Sequence, residues 1–139
     1  MRRYPAWGPE IIEIWNTKTE KSWKVHESKG PIYDLEFSPD NRYLVAVGGC
    51  AIDETVTPHG PSYAEIALYD LEKKKLVART LLENHPFLYC CTFLPNGRDI
   101  LALHQNNYEA APEVIRIRII ETEKNPPAGK TESNFKYTR

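Results

Sequence analysis

An all-β fold built from repeated antiparallel units is the class this sequence predicts, and three observations predict it. The stretch "IYDLEFSPDNRYLVAV" (32–47) recurs 56 positions later as "LYCCTFLPNGRDILAL" (88–103). A short strand ending in a bulky residue and then a polar one recurs three times. No segment carries a sustained helical period with caps.

The elements follow in chain order. "IEIWNTKT" (12–19) alternates apolar and polar residues and then turns, and a second strand-like run follows it. The first long repeat is an apolar run, the turn Pro39-Asp40-Asn41 and a second apolar run. Its copy carries Pro95-Asn96-Gly97 at the turn. Proline sets φ for the first turn position, and Asn or Gly tolerates the left-handed conformation after it, so each copy reads as a β-hairpin. Tyr33/Tyr89, Phe37/Phe93, Pro39/Pro95, Arg42/Arg98 and Ala46/Ala102 are identical between the copies. "IALYDLEK" (66–73) and "IRIIETEK" (117–124) repeat the form of 12–19, and "KKLVARTLLENH" is a further strand-like run. About nine short strands result.

These residues resemble the WD-repeat β-propeller family. In that family a blade is a four-stranded antiparallel sheet, with strands a to d running outward from the axis. "IYDLEFSP" matches strand a, "YLVAVGG" strand b, "EIALYDL" strand c and "KLVARTLL" strand d. Where the family has Trp-Asp at the end of strand c, this chain has Trp15-Asn16, Tyr69-Asp70 and Ile120-Glu121. The resemblance covers residues 11–120, about two degenerate blades in the order c-d, a-b-c-d, a-b-c. It implies a partial β-propeller, with a leader over residues 1–10 and a polar, flexible tail over residues 121–139.

Propellers close with about 4 to 8 blades. Two blades leave a bare apolar face at each end, and soluble monomers rarely tolerate such faces. The strand 113–120 would also be an open edge, which invites pairing. The chain is therefore expected to be completed by copies of itself, by a different chain, or by the rest of a longer propeller.

Two connections are long: "CAIDETVTPHGPSYA" (50–64) and "HQNNYEAAP" (104–112). In the resembled family such b–c loops share one face, usually the partner-binding one. Loops on a rigid scaffold are where function tends to sit. Asp53, Glu54, His59, His104, Asn106 and Tyr108 are accordingly the candidate binding residues. Two His with carboxylates can ligate a metal, but no short ligand pair occurs here, and solvated loop polars are the reading. Trp15 and Tyr69 end strands and are expected to pack between blades. Trp7 and Tyr108 lie outside the strands and suit a ligand better. Arg116 and Arg118 alternate with isoleucines, as on one solvated strand face or a strip that docks an acidic partner.

Composition narrows the function. Over 139 residues, 18 Lys+Arg balance 19 Asp+Glu, a net charge of −1 that favours neither nucleic acid nor an anionic membrane. No apolar leader or 18-residue apolar run is present, so a cytoplasmic protein is expected. Cys50, Cys90 and Cys91 form no disulfide framework; reduced, mostly buried thiols are expected, with Cys90 and Cys91 on opposite strand faces. No nucleophile elbow, phosphate-binding loop or Cys-x-x-Cys occurs. The expectation is a non-catalytic protein-interaction scaffold or structural subunit without cofactor, acting as a homo-oligomer or within a larger complex. The alternative is an oligomeric two-blade ring that binds a small ligand or glycan at blade junctions.

Overall fold

The computed structural model describes residues 10–28, 30–49, 63–83, 87–105, 111–120 and 135–138. Among them ten strands form three antiparallel sheets, and no helix occurs. A hairpin joins β1 (Ile11–Asn16) to β2 (Lys21–Glu27). The middle sheet orders β3 (Ile32–Phe37), β4 (Tyr43–Gly48), β5 (Tyr63–Asp70) and β6 (Lys75–Glu83) in sequence. The third sheet holds β7 (Phe87–Phe93), β8 (Asp99–Gln105), β9 (Glu113–Ile119) and β10 (Phe135–Thr138). No helix among the described residues is long and apolar enough to cross a membrane.

Side chains alternate across a strand, so a doubly covered sheet needs apolar residues at every position. β4 meets this need: Leu44, Val45, Ala46 and Val47 are all buried. Leu44 and Ala46 pack with Ala67 and Tyr69 against Ile12 and Val25 of the hairpin. Val45 and Val47, with Ile66 and Leu68, pack against Leu88, Phe93, Ile100, Ile115 and Ile117 of the third sheet. The middle sheet is thus sandwiched between the other two, with a core on each face.

The 56-residue repeat holds at the level of register. Ile32 opposes Gly48 and Asp34 opposes Val47, with Tyr33 bulged between them. Leu88 opposes His104 and Cys90 opposes Leu103, with Tyr89 bulged. The turns match too: Asn41 has φ 58° and Gly97 has φ 67°, the left-handed conformation expected of both. Asp40 Oδ1 accepts the amide of Arg42 at 3.0 Å, and Asn96 Oδ1 accepts that of Arg98 at 2.9 Å. β3 and β7 lie side by side at one edge of the stack, where the Tyr33 and Tyr89 rings sit 6.0 Å apart.

Three expectations need correction. The third recurrence of the strand-end pair is not Ile120-Glu121. Ladder rungs decide this: Tyr43 opposes Asp70 in the middle sheet, and its counterpart Asp99 opposes Arg118, so Ile117-Arg118 holds the place of Tyr69-Asp70. The flexibility expected of residues 121–139 does not extend to Phe135–Thr138, which pair with β9 over four rungs. That pairing also covers the β9 edge expected to be open.

Candidate functional site

The two long connections leave their sheets at matching rungs, after Gly48 opposite Glu65 and after His104 opposite Glu113. Equal register therefore starts both at the same end of the stack. Asp53, Glu54, His59, Asn106, Tyr108 and Trp7 lie outside the described residues. His104 is described and is no loop residue: it belongs to β8 and is buried, with Nε2 3.9 Å from Glu113 Oε2. The strand runs two residues further than expected because the apolar-inward alternation of Ile100 and Ala102 continues to it.

Packing at this end is tight. The Glu65 carboxylate is buried and accepts from Arg79 Nε at 2.8 Å. Burial, and then the charge of Glu65, push the Tyr69 hydroxyl above its ordinary pKa. Ser28 is buried and donates to the Gly30 carbonyl. A Cβ on Gly48 would stand 2.5 Å from the Pro31 carbonyl oxygen, and one on Gly49 would stand 2.6 Å from the Tyr33 ring. Between Ser28, Ile32, Ala46 and Glu65 lies a cavity of about 10 Å³, room for a single water. A sugar ring does not fit there.

No catalytic constellation emerges among the described residues, and no group of three His, Cys, Asp or Glu could hold a metal. Cys91 is buried, with its thiol pushed up first by burial and then by Asp34, Glu36 and Cys90. Cys90 is exposed on the opposite face, as adjacent strand residues must be, so burial holds for one thiol of the pair.

The incompletely covered sheet faces carry the stronger signal. Counterparts in the repeat have unequal burial. Leu35 is 44% exposed, against 7% for Cys91; Phe37 is 51% exposed, against 8% for Phe93. Trp15 is 63% exposed, whereas Tyr69, at the same place in its strand, is fully buried. Inter-blade packing was the expectation for both aromatics; it fails for Trp15, since no sheet among the described residues covers the outer face of β1. Leu35 and Phe37 are exposed for a different reason. Leu35 opposes Ala46 and Phe37 opposes Leu44, so they share the face covered by the β1–β2 hairpin. Among the described residues that hairpin has two strands, where the other sheets have four, and its cover stops short of β3.

The opposite end differs. Asp99 is buried and accepts from Arg118 Nε at 2.8 Å, from Asn96 Nδ2 at 2.8 Å and from Arg116. These bonds, with that of Arg118 foremost, hold its carboxyl well below the usual range and raise the Arg118 guanidinium. The alternation of β9 thus serves a three-residue charge cluster. Sequence reasoning found the arginines but missed Asp99, whose partners lie 17 and 19 residues away across a ladder.

No family model matches the chain, and no curated protein matches it. Among solved structures it is similar to Kuenenia stuttgartiensis hydrazine synthase, with a TM-score of 0.58 and 19% identity. The match covers 78% of this chain and 32% of that one, so the chain spans about a third of its length. At this identity the likeness concerns the fold alone.

Proposed function

We propose that the chain is a non-catalytic protein-interaction subunit of WD-repeat propeller type, completed by another polypeptide. Face-to-face stacking with β3 and β7 at a common edge supports the propeller part of this reading. The observation that carries the interaction part is the exposure of Leu35 and Phe37 where their counterparts Cys91 and Phe93 are buried. Contiguous exposed apolar residues of this kind mark association surfaces.

Light scattering of the full chain over rising concentration tests the reading, with Leu35→Ser/Phe37→Ser as the comparison. The expected result is association by the wild type that the double variant loses while its melting temperature holds. A mass that stays at 16.0 kDa for both proteins at every concentration would sink the proposal.

A further inference from the structure

We infer that the turn end of the stack, opposite the long connections, docks an acidic segment of a partner polypeptide through Arg98, Arg116 and Arg118 of the third sheet and Arg42 and Lys73 of the middle one. Both sheets finish at this end, where Tyr43 opposes Asp70 and Asp99 opposes Arg118. In each, one buried aspartate gathers two cations. Asp70 has Arg42 at 3.7 Å and Lys73 at 3.9 Å; Asp99 has Arg116 and Arg118. The carboxylates are at most 2% exposed, whereas the four cationic side chains are 42–59% exposed. Each cluster is thus two cations to one anion, with the anion inside and the surplus positive charge outside.

The clusters are held in place before any ligand arrives. Asp99 fixes Arg118 through Nε and Nη2, which leaves Nη1 for a further acceptor. Arg98 is exposed, and its carbonyl accepts the Ile119 amide at 2.8 Å, which sets it beside the end of β9. Of the acids in these turns, Asp40 is taken up locally by Ser38 and by the Arg42 amide. Glu72 precedes three lysines, Lys73 to Lys75. Carboxylates suit such sites, because a charge-assisted bond to a guanidinium already oriented loses little freedom on forming. The clusters lie one sheet apart, about 10 Å, which is the span of about three residues of extended chain. Acidic side chains three apart in an extended segment would therefore reach both. A nucleic acid fits less well: the chain carries a net charge of −1, which opposes a continuous phosphate backbone.

The test titrates the full chain into a fluorescein-labelled peptide of alternating Glu and Gly, read by anisotropy at low salt and at about 0.15 M. The same peptide with Gln for Glu and a labelled single-stranded oligonucleotide are the comparisons. Arg98→Gln/Lys73→Gln removes two exposed cations and leaves the bonds of Asp99 intact; Arg118→Gln removes the cluster's best-held cation. Lys24→Gln, in the middle of β2, is the control. Circular dichroism checks that each variant is folded. Saturable binding of the Glu peptide is expected, weakened by salt, about tenfold by Arg98→Gln/Lys73→Gln and several-fold by Arg118→Gln, and unchanged in Lys24→Gln. No binding at low salt would overturn the inference, as would equal loss in Lys24→Gln or tighter binding of the oligonucleotide. None of these outcomes bears on the association read at Leu35 and Phe37, which light scattering decides separately.

Discussion

The Asp34 carboxylate joins two residues 56 positions apart that hold the same place in consecutive sheets. Its Oδ1 accepts the Leu35 amide at 2.9 Å, and its Oδ2 accepts the Cys91 amide at 2.9 Å. Both amides follow a tyrosine bulge, where the ladder leaves a donor without its usual partner. One side chain thus satisfies the same irregularity twice. Removing it should strand the half-buried Cys91 amide. Asp34→Ala is expected to cost about 1–3 kcal/mol and Asp34→Asn less, since an amide keeps one acceptor. Urea denaturation midpoints at constant slope would show this ordering; equal stability of Asp34→Ala and wild type would refute it.

The adjacent cysteines should differ in chemistry. Cys90 is exposed, and Cys91 is buried with its thiol raised. The thiolate is the reactive species, so a maleimide at pH 7.5 should label Cys90 and spare Cys91 until urea is added. Peptide mapping by mass spectrometry reads the two sites separately. The same shift has a stability consequence. A raised folded pKa means that the unfolded state releases its proton first. The Cys91 contribution is therefore whole below the unfolded thiol value, about 8.5, and declines as pH rises beyond it. Cys91→Ala should flatten the alkaline fall of stability.

Acid acts through Asp99 with the opposite sign. Its folded pKa lies below the unfolded value of about 3.9 because Arg118, Arg116 and Asn96 bond the ionised form. The stabilisation is present above that value and is lost as pH falls through the depressed one. Asp99→Asn should therefore show a shallower acid limb in thermal melts between pH 5 and pH 2. An unchanged limb would mean that the cluster adds nothing to stability.

The turn after β7 tests the repeat at a single dihedral angle. Gly97 sits at φ 67°, where a β-carbon is strained. Gly97→Ala should destabilise by about 1 kcal/mol, whereas Asn41→Gly at the matching position should be neutral within a few tenths. Denaturant midpoints of the two variants check the pair together.

The features legible in the sequence are those set by local chemistry. Alternation at Ile12, Ile14, Ile115 and Ile117 marks β1 and β9, and Pro39-Asp40-Asn41 marks its left-handed residue. Strand pairing was less accessible. Which of Ile117 and Ile120 matches Tyr69 depends on the rung that joins Asp99 to Arg118, and connection length hides it. β10 has four residues within a polar segment and gains its ladder from β9, so no pattern of its own marks it. The interaction residues fared worst. Attention to loops pointed at His104, which is buried, and missed Leu35 and Phe37, which look like ordinary core residues in sequence. Their exposure depends on what an adjacent sheet lacks, and that is a property of the stack.

Phe37 and Phe93 allow that distinction to be measured. They are the same residue at the same repeat position, opposite Leu44 and Ile100 respectively. Truncating a buried Phe removes its transfer energy and leaves a cavity, so Phe93→Ala should cost about 3–5 kcal/mol. Phe37 is half exposed and leaves no closed cavity, so Phe37→Ala should cost under about 1 kcal/mol in the free chain. If another polypeptide covers β3, the difference should narrow in the complex, because Phe37 then joins a core. Thermal melts of both variants beside the wild type, at low concentration and where the chain associates, read the two costs in each state. Equal costs in the free chain would mean that β3 is already covered in solution. A gap that association leaves unchanged would mean that the contact lies elsewhere.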